Sequence, residues 1–202
     1  MLIRCSALGV LMTTPASKEL AVTAKSLIKD LVREEFFGVR KQISSKAIEK
    51  GIRCEGDSID LLNAALFANY KKHSGRVSNE WITGECDILH DTHGRDVKTS
   101  WSIDTFPLFA DELKNNGYEW QMRGYMWLYD RPEWYVDYCL VDTPEDLIGY
   151  EQEELHQVSY LSPEYRVKSV KYVRDLALEE QIKIKVIAAN EYAEKLRDEL
   201  VA

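Results

Sequence analysis

A chain of 202 residues has room for one full domain with a sizeable core, read here as a single domain over 1–202. With 45% hydrophobic and 30% charged residues, ten Gly and five Pro, it is not composed like a disordered, collagen-like or membrane-spanning protein. A net charge of −8 argues against coating nucleic acid by bulk attraction alone, and the four Cys, with no CxxC spacing, form neither a zinc-ribbon nor an iron–sulfur pattern.

In chain order, the longest uncharged stretch, Cys5 to Ser17, is 13 residues broken by Gly9 and Pro15. That falls short of the ~20 apolar residues of a bilayer-crossing helix. A helix is predicted through Leu20, Ala24, Leu27, Ile28, Leu31 and Val32, capped by Ser17 or Thr13 and ending near Gly38. A second helical pattern covers Ser44 to Tyr70, with Ala47, Ile48, Ile52, Ile59, Leu62, Leu66 and Phe67 as its apolar positions and Gly51 and Gly56 as weak points. Residues 71–77 read as a loop. From Trp81 the period changes to two: Ile82, Ile88 and Leu89 lead into the turn Asp91-Thr92-His93-Gly94, and 95–101 returns as the second strand of a β-hairpin.

The second half of 106–130 is predicted helical, with Trp120, Tyr125 and Leu128 on one side and Pro132 as its stop. The run WYVDYCLV, 134–141, has the β-branched and aromatic content of a core strand, and 165–173 reads as one more. A last helix over 176–200 sets Ile182, Val186, Ala189, Ala193 and Leu196 on one seam, while Ile184, Ile187 and Tyr192 widen its apolar stripe. The order implies an α/β or α+β sandwich around a mixed central sheet.

Acidic residues concentrate in the middle of the chain, where 61–150 hold 15 Asp and Glu against 8 Lys and Arg. The densest candidate for chemistry lies there, in the hairpin. Alternation puts Asp96 and Lys98 on one face, and the short turn brings Asp87 beside Asp96 across the ladder. Two neighbouring carboxylates repel unless a cation sits between them, which suits a hard divalent ion such as Mg²⁺ or Mn²⁺. Glu85 shares a strand face with Asp87 and is an alternative ligand. His73, His90 and His93 offer no i, i+4 metal pair. Upstream, Glu55 adds a carboxylate on a helix; downstream, Gln121 and Tyr125 lie one helical turn apart.

The order Glu55, Asp87, Asp96-Val97-Lys98, then Gln121 and Tyr125 resembles the PD-(D/E)XK nuclease superfamily, in particular the phage recombination exonucleases of the lambda exonuclease and YqaJ type. The segment RCSALGVLM at the start, YMWL after the sheet and VRD before the last helix are similar to the same family, so the resemblance covers most of the chain. It implies a restriction-endonuclease-like core, a mixed sheet flanked by helices. It further implies metal ligation by Glu55, Asp87, Asp96 and the backbone carbonyl of Val97, with Lys98 orienting or deprotonating the attacking water. Gln121, Tyr125 and Ser6 become substrate contacts, Ser6 through its hydroxyl at the start of a helix.

The activity implied is Mg²⁺-dependent hydrolysis from duplex DNA ends, 5′ to 3′, by a phage- or prophage-encoded enzyme in the bacterial cytoplasm. A single-strand annealing protein and a ring-shaped homo-oligomer are the partners such relatives imply, with no membrane involved. Other endonucleases or repair nucleases of the superfamily are the alternative. A non-catalytic nucleic-acid-binding oligomer gains nothing from clustered like charges.

Overall fold

The computed structural model describes residues 1–42 and 44–201. Its elements are β1 (Ile3–Arg4), α1 (Leu8–Leu11), α2 (Val22–Phe37), α3 (Lys46–Arg53), α4 (Glu55–Leu66), β2 (Val77–Ser78), β3 (Ile82–Gly84), β4 (Ile88–Leu89) and β5 (Gly94–Thr99). They are followed by α5 (Asn116–Tyr129), β6 (Glu133–Cys139), α6 (Glu145–Ile148), β7 (Val167–Val173) and α7 (Leu176–Val201). Among the described residues, no helix is long and apolar enough to cross a membrane.

The mixed α/β architecture follows the sequence pattern, but the strands form two sheets. A small one has the order β1-β3-β2, and a four-stranded one has the order β4-β5-β6-β7. The expected hairpin is therefore β4 and β5 alone, pairing Ile88 with Arg95 and Leu89 with Gly94. Ile82 belongs to the small sheet, because the chain leaves extended pairing over 85–87. In the larger sheet β5 runs parallel to β6, and β7 is antiparallel to β6.

The pleat of β6 divides the core. Trp134, Val136 and Tyr138 point to the face covered by α5, and the main cluster there includes Met122, Tyr125, Met126 and Tyr129 of α5 with Ile182, Val186, Ala189 and Ala193 of α7. Trp134 is fully buried and packs on the Tyr125 and Tyr129 rings at 5.2 and 5.7 Å. A Cβ on Gly94, its partner across the sheet, would lie 2.3 Å from that indole. On the opposite face α4 delivers Ile59, Leu61 and Leu62 onto Ile88, Val97, Cys139 and Val167.

Local details depart from the expectation in ways that matter for the site. Neither Ser17 nor Thr13 caps α2; its N-cap is Ala21, and the Ser17 hydroxyl accepts from the Glu19 N–H. Its C-terminus does end on Gly38, in the left-handed region at φ 66°. The 44–70 helical pattern breaks at Cys54, not at Gly51 or Gly56. Lys50 explains the break. Its side chain is fully buried and its ammonium donates to the carbonyls of Trp101 and Val141 at 2.9 and 2.8 Å. That pins α3 to the ends of β5 and β6, and the chain turns so that Glu55 opens α4. Ile52 and Phe67 of the predicted apolar stripe are consequently exposed.

Candidate active site

The carboxyl end of β5 opens into a cleft of about 490 Å³ lined by Glu55, Asp87, Asp96, Val97, Lys98, Gln121 and Tyr125, with Tyr118 and the α3 residues Ile48 and Ile52 on its walls. Seven of the eight residues singled out from sequence thus meet in one place. Each is delivered by a different local device. Extending the β4–β5 register by one places Asp87 opposite Asp96, although Asp87 lies just before β4. Its Oδ2 accepts from the Val97 N–H at 2.7 Å, fixing the carboxylate at the sheet's edge. Asp96 and Lys98 share the face toward α5, and Glu55 occupies the first position of α4.

Asn115 starts α5 by accepting from the Gly117 and Tyr118 N–H groups, which sets the phase of the helix. Gln121 then donates to Asp96 Oδ1 at 3.3 Å and to the Tyr125 hydroxyl at 3.0 Å, while that hydroxyl donates to the Glu85 carbonyl at 2.7 Å. The close approach of α5 to β3 needs Gly84, where a Cβ would lie 2.8 Å from the Tyr125 ring and 2.9 Å from the Cys5 sulfur.

Tyr125 lines the cleft but is only 4% exposed, with its hydroxyl hydrogen-bonded to Gln121 and Glu85, an arrangement that supports Gln121 against Asp96. Burial pushes its phenol well above the usual range, so it stays protonated and keeps donating. Ser6 is not with the others. It is exposed in a 3-10 turn over Cys5–Ala7, where it caps no helix, and lines a larger neighbouring cleft beside Arg4 and Arg40. Glu85, the alternative ligand, does not line the cleft: its side chain accepts from the Gly75 N–H and lies 3.7 Å from Arg76.

The electrostatics of the cleft are set by two neighbouring buried carboxylates and one ammonium. Burial, then the neighbouring Asp96, pushes the Asp87 carboxyl up to about 7, against the pull of the Val97 N–H and of Lys98. Lys98 Nζ lies 2.6 Å from Asp96 Oδ2, yet off any hydrogen-bond axis. That buried oxygen therefore has a charged neighbour and no hydrogen bond. Burial works against the lysine's charge, but Asp96 and Asp87 outweigh it and hold Lys98 above its ordinary range. Glu55 is engaged by the ammonium of Lys72.

Among the described residues, no three His, Cys, Asp or Glu side chains stand in a ready-made metal cluster. The donor set nonetheless fits a hard divalent cation. It comprises two mutually repelling carboxylates, one with a buried oxygen that accepts no hydrogen bond, and a third carboxylate at the rim. Tyr118 is the site residue that sequence reasoning missed. Its ring lies 4.7 Å from Lys98 Nζ, and its spacing of three from Gln121 was the available signal.

A phage-related exonuclease from Haemophilus somnus 129PT superposes with a TM-score of 0.92 at 33% identity, over 99% of this chain and 96% of that one. The chain belongs to the phage-related exonuclease family. It is a nuclease by that membership. An alkaline exonuclease from Laribacter hongkongensis, alone and in complex with dAMP, shares the fold at a TM-score of 0.74, with 15 and 16% identity over 98% of this chain and 91% of that one. No protein-family model and no curated sequence matches the chain.

Proposed function

We propose that this nuclease is a divalent-metal-dependent deoxyribonuclease of the PD-(D/E)XK type, an exonuclease that hydrolyses phosphodiester bonds from duplex DNA ends, 5′ to 3′, in phage recombination. One observation carries the reading: Asp87, Asp96 and Lys98 converge in an open cleft with a buried Asp96 oxygen left without a hydrogen bond. Two buried, mutually repelling carboxylates with one ammonium between them are costly in a merely structural position. The dAMP bound by the Laribacter exonuclease supports a nucleotide-shaped substrate.

Asp87, Asp96 and the Val97 carbonyl, with Glu55 at the rim, would hold Mg²⁺ or Mn²⁺, which would supply Lewis acidity toward a phosphodiester. The chain's own groups do the rest. The Val97 N–H fixes Asp87, and the Tyr125–Gln121 pair fixes Asp96. Lys98, beside Asp96 at the cleft, orients or deprotonates the attacking water and adds positive charge beside the phosphate.

End-labelled linear duplex and closed circular duplex, incubated with and without Mg²⁺, test the proposal. Release of label from linear DNA only, and only with Mg²⁺, is the expected result, with 5′ and 3′ labels distinguishing direction. Cleavage of the circle makes the protein an endonuclease, and no cleavage of either overturns the reading. The partly exposed Ile184 and Ile187 on α7 support a homo-oligomer, and an annealing protein is its proposed partner. A strict monomer by light scattering at tens of micromolar, with and without DNA, would remove the oligomer and leave the chemistry.

A further inference from the structure

The loop between α4 and β2 carries Lys71, Lys72 and Arg76 past the rim of the cleft, and it is held there by its backbone. The Tyr70 N–H donates to Asn63 Oδ1 at 2.6 Å, the His73 N–H to the Asp87 carbonyl at 2.7 Å and the Gly75 N–H to Glu85 Oε1 at 3.3 Å. Lys72 is thus anchored on both sides by segments that belong to the site. Its own side chain stays 59% exposed, with the ammonium on Glu55 Oε2. Three carboxylates, Glu55, Asp87 and Asp96, line the cleft with Lys98, while Lys72 reaches Glu55 from outside it, and these two ammonium groups differ. Lys98 is largely enclosed between Asp96 and the Tyr118 ring, whereas Lys72 sits on a flexible four-carbon stem at the solvent edge.

We propose that Lys72 is an exchangeable counter-ion of the site. It neutralises Glu55 while the carboxylates hold no divalent cation, and when a cation draws Glu55 inward the released ammonium binds a phosphate of the nucleic acid strand in the cleft. The inference rests on the nuclease reading. It makes cation loading and strand binding mutually reinforcing through one side chain, because the same ammonium cannot serve Glu55 and a phosphate at once. An exposed ammonium is suited to this exchange: the Glu55 pair is weak enough to break, and a phosphate oxygen accepts the same donor.

Two measurements on the full chain test it. Mn²⁺ binding without DNA, followed calorimetrically, is expected to tighten in Lys72→Ala by about 2- to 5-fold, the range set by loss of one exposed ion pair. Binding of an end-labelled duplex in Ca²⁺ is expected to weaken in Lys72→Ala, with the slope of log affinity against log salt reduced by about one, and to be restored in Lys72→Arg. Thermal unfolding of each variant within the error of the parent provides the folding control.

Unchanged or weaker Mn²⁺ binding in Lys72→Ala overturns the counter-ion role. An unchanged salt slope overturns the exchange onto phosphate. Failure of the nuclease reading looks different, since Asp96→Ala and the parent would then give the same Mn²⁺ isotherm whatever Lys72 does.

Discussion

The two faces of β5 hold two charge clusters one residue apart, and they are built to opposite standards. On one face Arg95 Nη1 donates to both oxygens of Asp137 at 2.8 and 2.9 Å, Ser169 donates to the same carboxylate, and the guanidinium lies over the Tyr135 and Tyr70 rings at 4.3 and 5.0 Å. On the other, Asp96 has one long bond from Gln121, an off-axis lysine and an oxygen with no hydrogen bond. Both aspartates are essentially buried. Burial therefore does not separate structure from function here; completeness of the partner set does. The Arg95–Asp137 pair fixes β5 on β6, whereas Asp96 keeps one oxygen whose neighbour is the Lys98 ammonium without a hydrogen bond.

Four changes break or sharpen that contrast. Largest is Asp96→Ala, expected to abolish Mg²⁺-dependent hydrolysis while shifting the unfolding free energy by no more than about 1 kcal/mol, some 2–4 °C in Tm. Removing the carboxylate takes away a ligand but also the repulsion with Asp87. Near-parental cleavage would withdraw this hairpin from the site. Lys98→Ala comes next, with a rate loss of about 10² to 10⁴ typical of a positioned electrostatic group, and Mn²⁺ affinity largely intact by calorimetry. Loss of metal binding or of folding would make the lysine structural.

Asp137→Ala should do the reverse of Asp96→Ala. Stranding Arg95 beside an emptied position is expected to cost about 3–5 kcal/mol of stability, read by urea unfolding, because a buried cation loses its only carboxylate partner in the cluster. Activity per folded molecule should persist at temperatures well below the lowered midpoint. A variant as stable as the parent would show that the pair contributes nothing, and the contrast between the two faces would lose its structural half.

Much of this contrast was legible in the sequence, and where it was not the reasons are long-range. Period-two alternation located Asp96 and Lys98 together, and the turn at 91–94 set a register that reaches Asp87. The helix of Gln121 and Tyr125, the strand containing Trp134 and the long final helix also follow from periodicity, because their apolar faces meet one core. Asp137 was hidden within WYVDYCLV, although a carboxylate inside an apolar run is itself a signal that a buried partner exists. The break at Cys54 depends on where the Lys50 ammonium finds two carbonyls about 50 and 90 residues downstream, which no local pattern encodes. The same holds for Tyr125, whose role depends on the Glu85 carbonyl of another sheet strand's end.

The smallest expected effect tests the cause of the site's incompleteness directly. In the protein without a divalent cation, Asp87 faces Asp96 and, more distantly, Glu55, with the Val97 N–H and Lys98 as its main favourable neighbours, and burial followed by Asp96 raises its carboxyl from 3.8 to about 7. A raised folded-state value means that the folded protein holds this proton more tightly than the unfolded chain. Its contribution is complete below about pH 4 and is lost as pH rises through about 7. Asp87→Asn resembles the protonated side chain and can still accept from the Val97 N–H. In EDTA the variant is therefore expected to match the parent near pH 4 and to exceed it by several degrees in Tm at pH 8, within a range of about 2–4 °C for each kcal/mol gained. Adding Mn²⁺ at pH 8 should reverse the order, stabilising the parent and not the variant, since a cation bound only by the folded state adds stability by mass action. Parallel pH profiles for the two proteins in EDTA would show that Asp87 carries no excess repulsion, and the fit of this cleft to a divalent cation would lose its main physical support.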